Sequence, residues 1–143
     1  MSIEENKLVV RRFIEEVINT GNVDNINEYV SEDYTEVFDN KRYEVGIKGA
    51  KEHITGVRKT YENLTLTIEI QIAEGDYVAT CITTRGIHKG EWIGIAPTGK
   101  EVKYTGVNIN KVVNGRIVEH GGAANMLSTL LEIGAVKVVG KNN

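Results

Sequence analysis

Nine residues from Leu64 to Ile72 alternate without interruption between apolar and polar side chains, in the order LTLTIEIQI. A period of two is typical of a β-strand that buries one face and exposes the other. Such a strand needs a second layer of structure against its apolar face. We therefore predict that this face packs on helices, and that it carries Leu64, Leu66, Ile68, Ile70 and Ile72.

The rest of the chain predicts helices before this strand and further strands after it. Apolar residues recur at helical spacing from about Ser2 to Thr20, and Ser2 with Glu5 forms a capping-box pattern. Further helices are predicted at 23–30, 49–62 and 126–133, and further strands at 77–88, 102–113 and 116–120. This order indicates one α+β domain over residues 1–143, with helices packed on one face of a curved antiparallel sheet that begins near Leu64.

The charge pattern narrows the classes of partner. The 20 acidic and 17 basic residues are interspersed and give a net charge of −3, so no basic stripe is available for nucleic acid or an anionic membrane. The first residues, MSIEENK, are polar and acidic, unlike a secretion signal, and no apolar run approaches the ~20 residues of a membrane-spanning helix. We therefore expect a cytoplasmic protein that binds neither nucleic acid nor membrane.

The three histidines do not form a metal motif. None of His53, His88 and His120 lies at metal-ligand spacing from another histidine or from the single cysteine. His53 is expected at the surface or at the rim of a pocket, and His88 in an exposed position. His120 is of greater interest because Glu119 and Asn125 lie close to it in the sequence. A structural and a catalytic role for His120 both remain open.

The stretch NGRIVEHGGAAN, residues 114–125, ends a predicted strand in four residues that have almost no side chain. Two interpretations are open. A β-bulge at Gly121 and Gly122 turns the strand toward the last helix, or the small residues leave room beside the strand for another molecule.

Two amides lie two residues apart in the preceding strand. Asn108 and Asn110 therefore share a face, together with Tyr104. Because unpaired amides are costly to bury, this face is either solvated or lines a polar cavity. If it lines a cavity, Val107 and Ile109 form an apolar strip on the outer face of the sheet. We then predict a homodimer through that convex face.

Nearly the whole chain resembles the SnoaL-like polyketide cyclases, also labelled ester cyclases, which have the NTF2-like fold. The segments that carry the resemblance are VRRFIEEVINTGNVDNINEYVSEDY, IAEGDYVATCITTRGIHKGEWIGIAPTGKEV and YTGVNINKVVNGRIVEHGGAANMLSTLLEIGA. The resemblance implies a cone in which a strongly curved antiparallel sheet wraps around helices and leaves an apolar internal cavity. It also implies homodimers, and ring closure by an intramolecular aldol condensation on a polyketide ester without metal or cofactor.

The chain departs from the family pattern at three positions. The last strand of the family usually reads Glu-His-Trp, three residues and then Asp, and that Asp is the general acid/base of the known cyclases. Here Glu119 and His120 are followed by Gly121 at the Trp position and Asn125 at the Asp position. Val37 stands where many members carry a His. An amide cannot exchange a proton near neutral pH, and losing an indole enlarges the cavity unless another side chain refills it.

Two functions remain open on this pattern, and both imply an apolar or carbonyl-containing small molecule as ligand. One is a cofactor-free cyclase, isomerase or lyase, in which Asn125 holds a substrate oxygen and His120 or Glu119 acts as the base. The other is a binding protein that has kept the cone and lost the acid/base. The pocket residues expected in either case are Tyr104, Asn108, Asn110, Trp92, Gly121 and Val37.

Overall fold

The computed structural model describes residues 1–140, which form a curled six-stranded sheet with helices packed against it. The helices are α1 (Ile3–Arg12), α2 (Gly46–Thr60) and α3 (Leu127–Glu132), with a π-helical segment at Phe13–Ile18 and a 3₁₀ segment at Val23–Glu28. The strands are β1 (Val30–Phe38), β2 (Lys41–Glu44), β3 (Tyr61–Glu74), β4 (Tyr77–His88), β5 (Glu101–Val113) and β6 (Arg116–Asn125). Within residues 1–140, every helix is too short or too polar to cross a membrane.

The first helical segment begins and ends where its sequence predicts. The Ser2 hydroxyl accepts the Glu5 backbone N–H at 3.1 Å, and the Glu5 carboxylate accepts the Ser2 N–H at 2.6 Å, so the capping box is confirmed. The chain continues through the π-helical segment and leaves it at Gly21, whose φ of +75° favours glycine. The apolar stripe of this segment lies in the core, where it buries Val10, Phe13, Ile14 and Val17.

The order of the strands is β2-β1-β6-β5-β4-β3, and every neighbouring pair is antiparallel except β1 with β6. The predicted antiparallel succession from β3 to β6 is confirmed. The prediction that the sheet begins near Leu64 is wrong, because β1 and β2 precede α2. The sequence of β1, VSEDYTEVF, lacks a clear apolar–polar alternation, because the polar Glu36 lies on the same face as the buried Tyr34. This strand was therefore not predicted. The turn to β2 is easier to predict from the sequence. Asp39 and Asn40 both adopt a positive φ, which Asp and Asn tolerate better than most residues in hairpin turns.

The alternating run forms β3, but only its first half keeps the predicted orientation. Leu64 is buried, and Leu66 and Ile68 pack against the core, whereas Ile70 is 56% and Ile72 65% exposed. The prediction for these two isoleucines is wrong, because the register of β3 against β4 shifts between Ile68 and Ile70. One extra residue in a strand moves every later side chain to the other face.

Gln71 takes the inward place that Ile70 and Ile72 lose. Its amide donates to the Lys7 carbonyl at 3.1 Å and lies 3.4 Å from the Thr80 hydroxyl, so the turned strand satisfies a carbonyl of α1. The partners of this amide belong to α1 and β4. The inward orientation of Gln71 therefore could not be predicted from the alternation of residues along β3 alone.

The outward isoleucines join an apolar area on the convex side of the sheet. Cross-strand pairing aligns Ile70 with Cys81 and Val107 in one row, and Ile72 with Ala79 and Ile109 in the next. Val107 and Ile109 are 39% and 40% exposed. We call these six residues the outer patch.

Candidate functional site

A cavity of about 440 Å³ lies between the helices and the inner face of the sheet. This volume falls within the range of about 300–1,000 Å³ that small-molecule sites occupy. Its walls are mainly apolar and come from the π-helical segment, α2, β3 and β4, represented by Phe13, Ile18, Ile54, Val57, Leu66 and Ile82. Most of the cavity lining can therefore contact apolar groups only.

Three polar side chains meet at one wall of the cavity. His120 Nδ1 lies 2.9 Å from Glu36 Oε2, and the Tyr34 hydroxyl donates to Glu36 Oε1 at 2.5 Å. All three residues line the cavity, and we call them the polar corner. Parallel pairing of β1 with β6 sets Glu36 opposite His120 and so brings together residues that are 84 positions apart.

The polar corner favours an ionised Glu36 and a neutral Tyr34. Burial is the largest single influence on Glu36 and raises its pKa, but it is outweighed by the hydrogen bonds from His120 and Tyr34 and by the positive charge that His120 and His53 carry when protonated. The pKa of Glu36 therefore lies below its ordinary value of 4.5. Burial, reinforced by the neighbouring Glu36, raises the pKa of the Tyr34 phenol. Near neutral pH, Tyr34 is accordingly a donor and Glu36 an acceptor.

Of the three catalytic candidates from the sequence, His120 lines the cavity and the other two do not. Glu119 projects to the opposite side of β6, where its carboxylate pairs with Arg42 at 3.3 Å. Asn125 is exposed at the end of β6, where it pairs with Thr105. The alternation of β6 separates His120 from these two residues, since neighbouring side chains in a strand point to opposite faces.

The six predicted pocket residues divide in a similar way. Tyr104, Asn108, Gly121 and Val37 line the cavity. Asn110 is outside the lining and only 2% exposed, and it is the β5 partner of His120. Trp92 is buried behind the cavity wall, with its ring stacked on that of Tyr104 at a centroid distance of 6.2 Å and an interplanar angle of 15°. Trp92 therefore supports the wall through Tyr104, whereas the sequence placed it in the pocket.

The run of small residues in β6 has a backbone explanation. Pairing with β5 is continuous from Glu119 to Asn125, and the one register shift in this pair lies earlier, at Val118, so the bulge proposed at Gly121 and Gly122 is wrong. Gly122 has a φ of +145°, and a Cβ there would stand 2.1 Å from the Val107 carbonyl oxygen. The two strands thus approach at this point more closely than any side chain allows.

Gly121 does not leave an empty space beside the strand. A Cβ at this position would lie 3.1 Å from both the Cβ and the carbonyl oxygen of Val37, so Val37 already covers the glycine. The cavity wall beside His120 is therefore formed by two residues in contact, and an indole at position 121 would require Val37 to move.

Two functional candidates were not predicted from the sequence. Tyr34 and Glu36 were missed because β1 was not predicted, although their spacing of two residues places both on one face of a strand. His53, which was expected at the surface or at the rim of a pocket, lines the cavity from α2. His88 was expected to be exposed and is fully buried, because the loop that follows β4 brings the Thr98 hydroxyl to 3.0 Å from its Nδ1 and packs Trp92 against its ring.

The polar corner contains an imidazole hydrogen-bonded to a carboxylate. A histidine oriented by a carboxylate, beside a cavity with apolar walls, is an arrangement that can remove and return a proton. Within residues 1–140, no group of three or more His, Cys, Asp or Glu side chains is placed to hold a metal ion.

The chain is similar in sequence to proteins of one known family. The sequence pattern of the SnoaL-like polyketide cyclase family matches residues 8–133. The chain is 27% identical to nogalonic acid methyl ester cyclase of Streptomyces nogalater over 118 residues, covering 81% of this chain and 88% of the relative. It is 28% identical to aklanonic acid methyl ester cyclase AcmA of Streptomyces galilaeus over 137 residues, or 92% of each chain.

A solved structure gives the same fold. AclR of Streptomyces galilaeus, described as a candidate hydroxylase, superimposes with a TM-score of 0.81 at 27% identity, covering 95% of this chain and 100% of its own. The same cone therefore occurs in proteins described with different chemistries, and the residues of the site must decide the activity of this chain.

Proposed function

The chain belongs to the SnoaL-like polyketide cyclase family, and from that premise we propose that it is a cofactor-independent enzyme that moves a proton at the carbon next to a carbonyl group, with His120 as the acid/base. The observation that carries this proposal is the 2.9 Å contact between His120 Nδ1 and Glu36 inside a largely apolar cavity. His120 then does what the family's carboxylate does, from a different position on the same strand.

The chemical step can be written with this chain's own groups. The imidazole of His120 takes a proton from the carbon next to the carbonyl, the C–H electron pair forms the carbon–carbon double bond of an enolate, and the carbonyl electron pair moves to oxygen. Tyr104 and Asn108 line the same cavity and can donate hydrogen bonds to that oxygen. Burial raises the pKa of the Tyr104 phenol, which keeps it protonated as a donor.

The walls suggest the class of substrate. Phe13, Ile54, Leu66 and Ile82 offer apolar contact over most of the cavity, and the polar groups are few. We propose a ring-containing ketone or keto ester whose acidic C–H faces the polar corner. The names of the two cyclase relatives specify methyl esters, which supports the ester alternative.

The proposal is tested by hydrogen–deuterium exchange on a simple carbonyl probe. 2-Tetralone in D₂O, followed by proton NMR, is expected to exchange the protons next to its carbonyl faster with the wild-type protein than in buffer of the same pH. Binding of 2-tetralone without faster exchange would instead support a non-catalytic binding protein of this fold.

Asn125→Asp is expected to leave that exchange rate within about threefold of wild type, because position 125 is exposed and lies outside the cavity lining.

We also expect that neither wild type nor Asn125→Asp closes a ring on nogalonic or aklanonic acid methyl ester. Positions 37, 121 and 125 all differ from the family pattern, and misplacement of reacting groups alone can cost about 10²-fold. Product analysis by liquid chromatography decides this. Ring closure by wild type contradicts the expectation, and ring closure only by the variant shows that a carboxylate was the one missing part.

We further propose that the chain forms a homodimer through the outer patch. Six apolar residues in two adjacent rows make a continuous apolar area, and such areas are candidate protein interfaces. Light scattering at micromolar concentration is expected to give twice the chain mass of 15.8 kDa, and the double variant Val107→Lys/Ile109→Lys to give a monomer. Leu8→Lys, at an exposed leucine of α1, is the matched control and should stay dimeric. A wild-type monomer would remove this proposal.

A further inference from the structure

We propose that Tyr34 and Glu36 are positioning residues that hold neutral His120 in the tautomer with its proton on Nδ1, so that Nε2 is the atom that exchanges protons with substrate. This inference rests on the proposed role of His120 and adds to it the atom that reacts and the two residues that select it.

The bonding pattern of Glu36 carries the inference. Each of its carboxylate oxygens contacts a different group, Oε1 the Tyr34 hydroxyl at 2.5 Å and Oε2 His120 Nδ1 at 2.9 Å. An ionised carboxylate accepts hydrogen bonds and donates none, so Nδ1 must carry the hydrogen of this contact. A neutral imidazole has one N–H, and Nε2 is therefore left with a free lone pair.

Tyr34 holds the carboxylate at the place where it can select the tautomer. Its side chain is 3% exposed, and it stands two residues before Glu36 on the same face of β1. The phenol occupies Oε1 and leaves Oε2 toward β6, where Glu36 and His120 are paired across the parallel strands. The groups that influence the pKa of Glu36 are Tyr34 on its own strand, His120 on β6 and His53 on α2. Tyr43 of β2 is its partner on the other side of β1.

Moving the proton to Nε2 would leave Nδ1 and Oε2 as two acceptors facing each other. A hydrogen bond to a charged group contributes enough to favour one tautomer by on the order of 10- to 100-fold. The parallel pairing of β1 with β6 thus determines which nitrogen of His120 reacts, whichever substrate enters the cavity.

The experiment uses full-length protein labelled with ¹⁵N-histidine, at a pH where His120 is neutral, with two-bond ¹⁵N–¹H correlation spectra to identify the protonated nitrogen. Wild type is expected to show His120 protonated at Nδ1. Glu36→Gln should give a mixture or the opposite tautomer, because the new amide can donate to Nδ1. Tyr34→Phe should weaken the preference and lower the rate of 2-tetralone exchange about tenfold.

Tyr29→Phe is the matched control. Tyr29 is a second buried tyrosine whose hydroxyl is hydrogen-bonded to a glutamate, Glu16, and it lies outside the cavity lining. This variant should keep the wild-type tautomer and exchange rate. The resonances of the fully buried His88 report whether each variant is folded, and if Tyr34→Phe is not, Glu36→Gln alone carries the tautomer test.

The inference is overturned if His120 of wild type is protonated at Nε2, or if Glu36→Gln keeps the wild-type tautomer. It is also overturned if Tyr34→Phe, once folded, matches Tyr29→Phe in tautomer and rate. These outcomes leave the proposed function intact, because that function fails on a different result, namely exchange that does not depend on His120 at all.

Discussion

Replacing His120 with alanine is expected to lower the protein-catalysed exchange of 2-tetralone by about 10²- to 10⁴-fold, which is the usual contribution of a general acid/base. His120 is the one sequence-predicted catalytic candidate that lines the cavity, and Glu36 orients it at 2.9 Å. Removing the imidazole leaves the apolar walls in place, so binding of the ketone should change far less than its rate of exchange. Proton NMR gives the rate, and fluorescence of Trp92, which stacks on the cavity-lining Tyr104, provides a binding signal.

Glu119→Ala serves as the comparison for this prediction. Glu119 is adjacent to His120, but its carboxylate pairs with Arg42 on the opposite side of β6. This ion pair is open to solvent on its Arg42 side, where the side chain is 60% exposed, so it contributes little to stability. We expect exchange within about threefold of wild type, because the Glu119 side chain does not reach the cavity. If the Glu119 variant loses activity and the His120 variant keeps it, the acid/base has been assigned to the wrong face of the strand.

Gly122→Ala is expected to prevent folding or to lower the free energy of unfolding by at least about 3–4 kcal/mol, at the severe end of single substitutions. The new Cβ would lie 2.1 Å from the Val107 carbonyl oxygen and 3.0 Å from the Asn108 Cα, and neither backbone atom can rotate away as a side chain would. The φ of +145° adds strain for any residue with a side chain. Because Gly122 pairs with Asn108, the cavity wall beside His120 should open where the two strands separate.

The matched control separates backbone conformation from steric contact. Gly75 also has a positive φ, +56°, but nothing lies within 4 Å of a Cβ built there. Gly75→Ala should therefore cost only about 1–2 kcal/mol, the penalty of the left-handed conformation. Urea unfolding followed by circular dichroism measures both variants. Equal losses would mean that the close approach of β5 to β6 is not what requires glycine at position 122.

The sequence predicted those parts of the fold whose causes are local. The capping box at Ser2 and Glu5 involves residues three apart, and the helical and strand periods of α1 and β3 appear within one segment. The family resemblance then supplied the cone, because a pattern spread over residues 8–133 constrains topology more strongly than any single element. His120 was selected because Glu119 and Asn125 lie close to it in the sequence, although neither of those two residues lines the cavity.

The remaining features were decided by contacts between distant segments. Ile70 and Ile72 face outward because β3 shifts register against β4, and that shift is visible only when both strands are paired. Glu36 was not recognised because a polar residue on the inner face of β1 resembles a loop residue until its partner is known. That partner is His120, 84 residues away, and the hydrogen bond forms because β1 and β6 pair in parallel. Alternation along the chain therefore determined which side chains share a face only within an uninterrupted stretch of strand, such as Leu64 to Ile68. Tertiary pairing determined where a bulge reverses the faces and which faces meet, since the energy of a buried polar group depends on the partner that another strand brings to it.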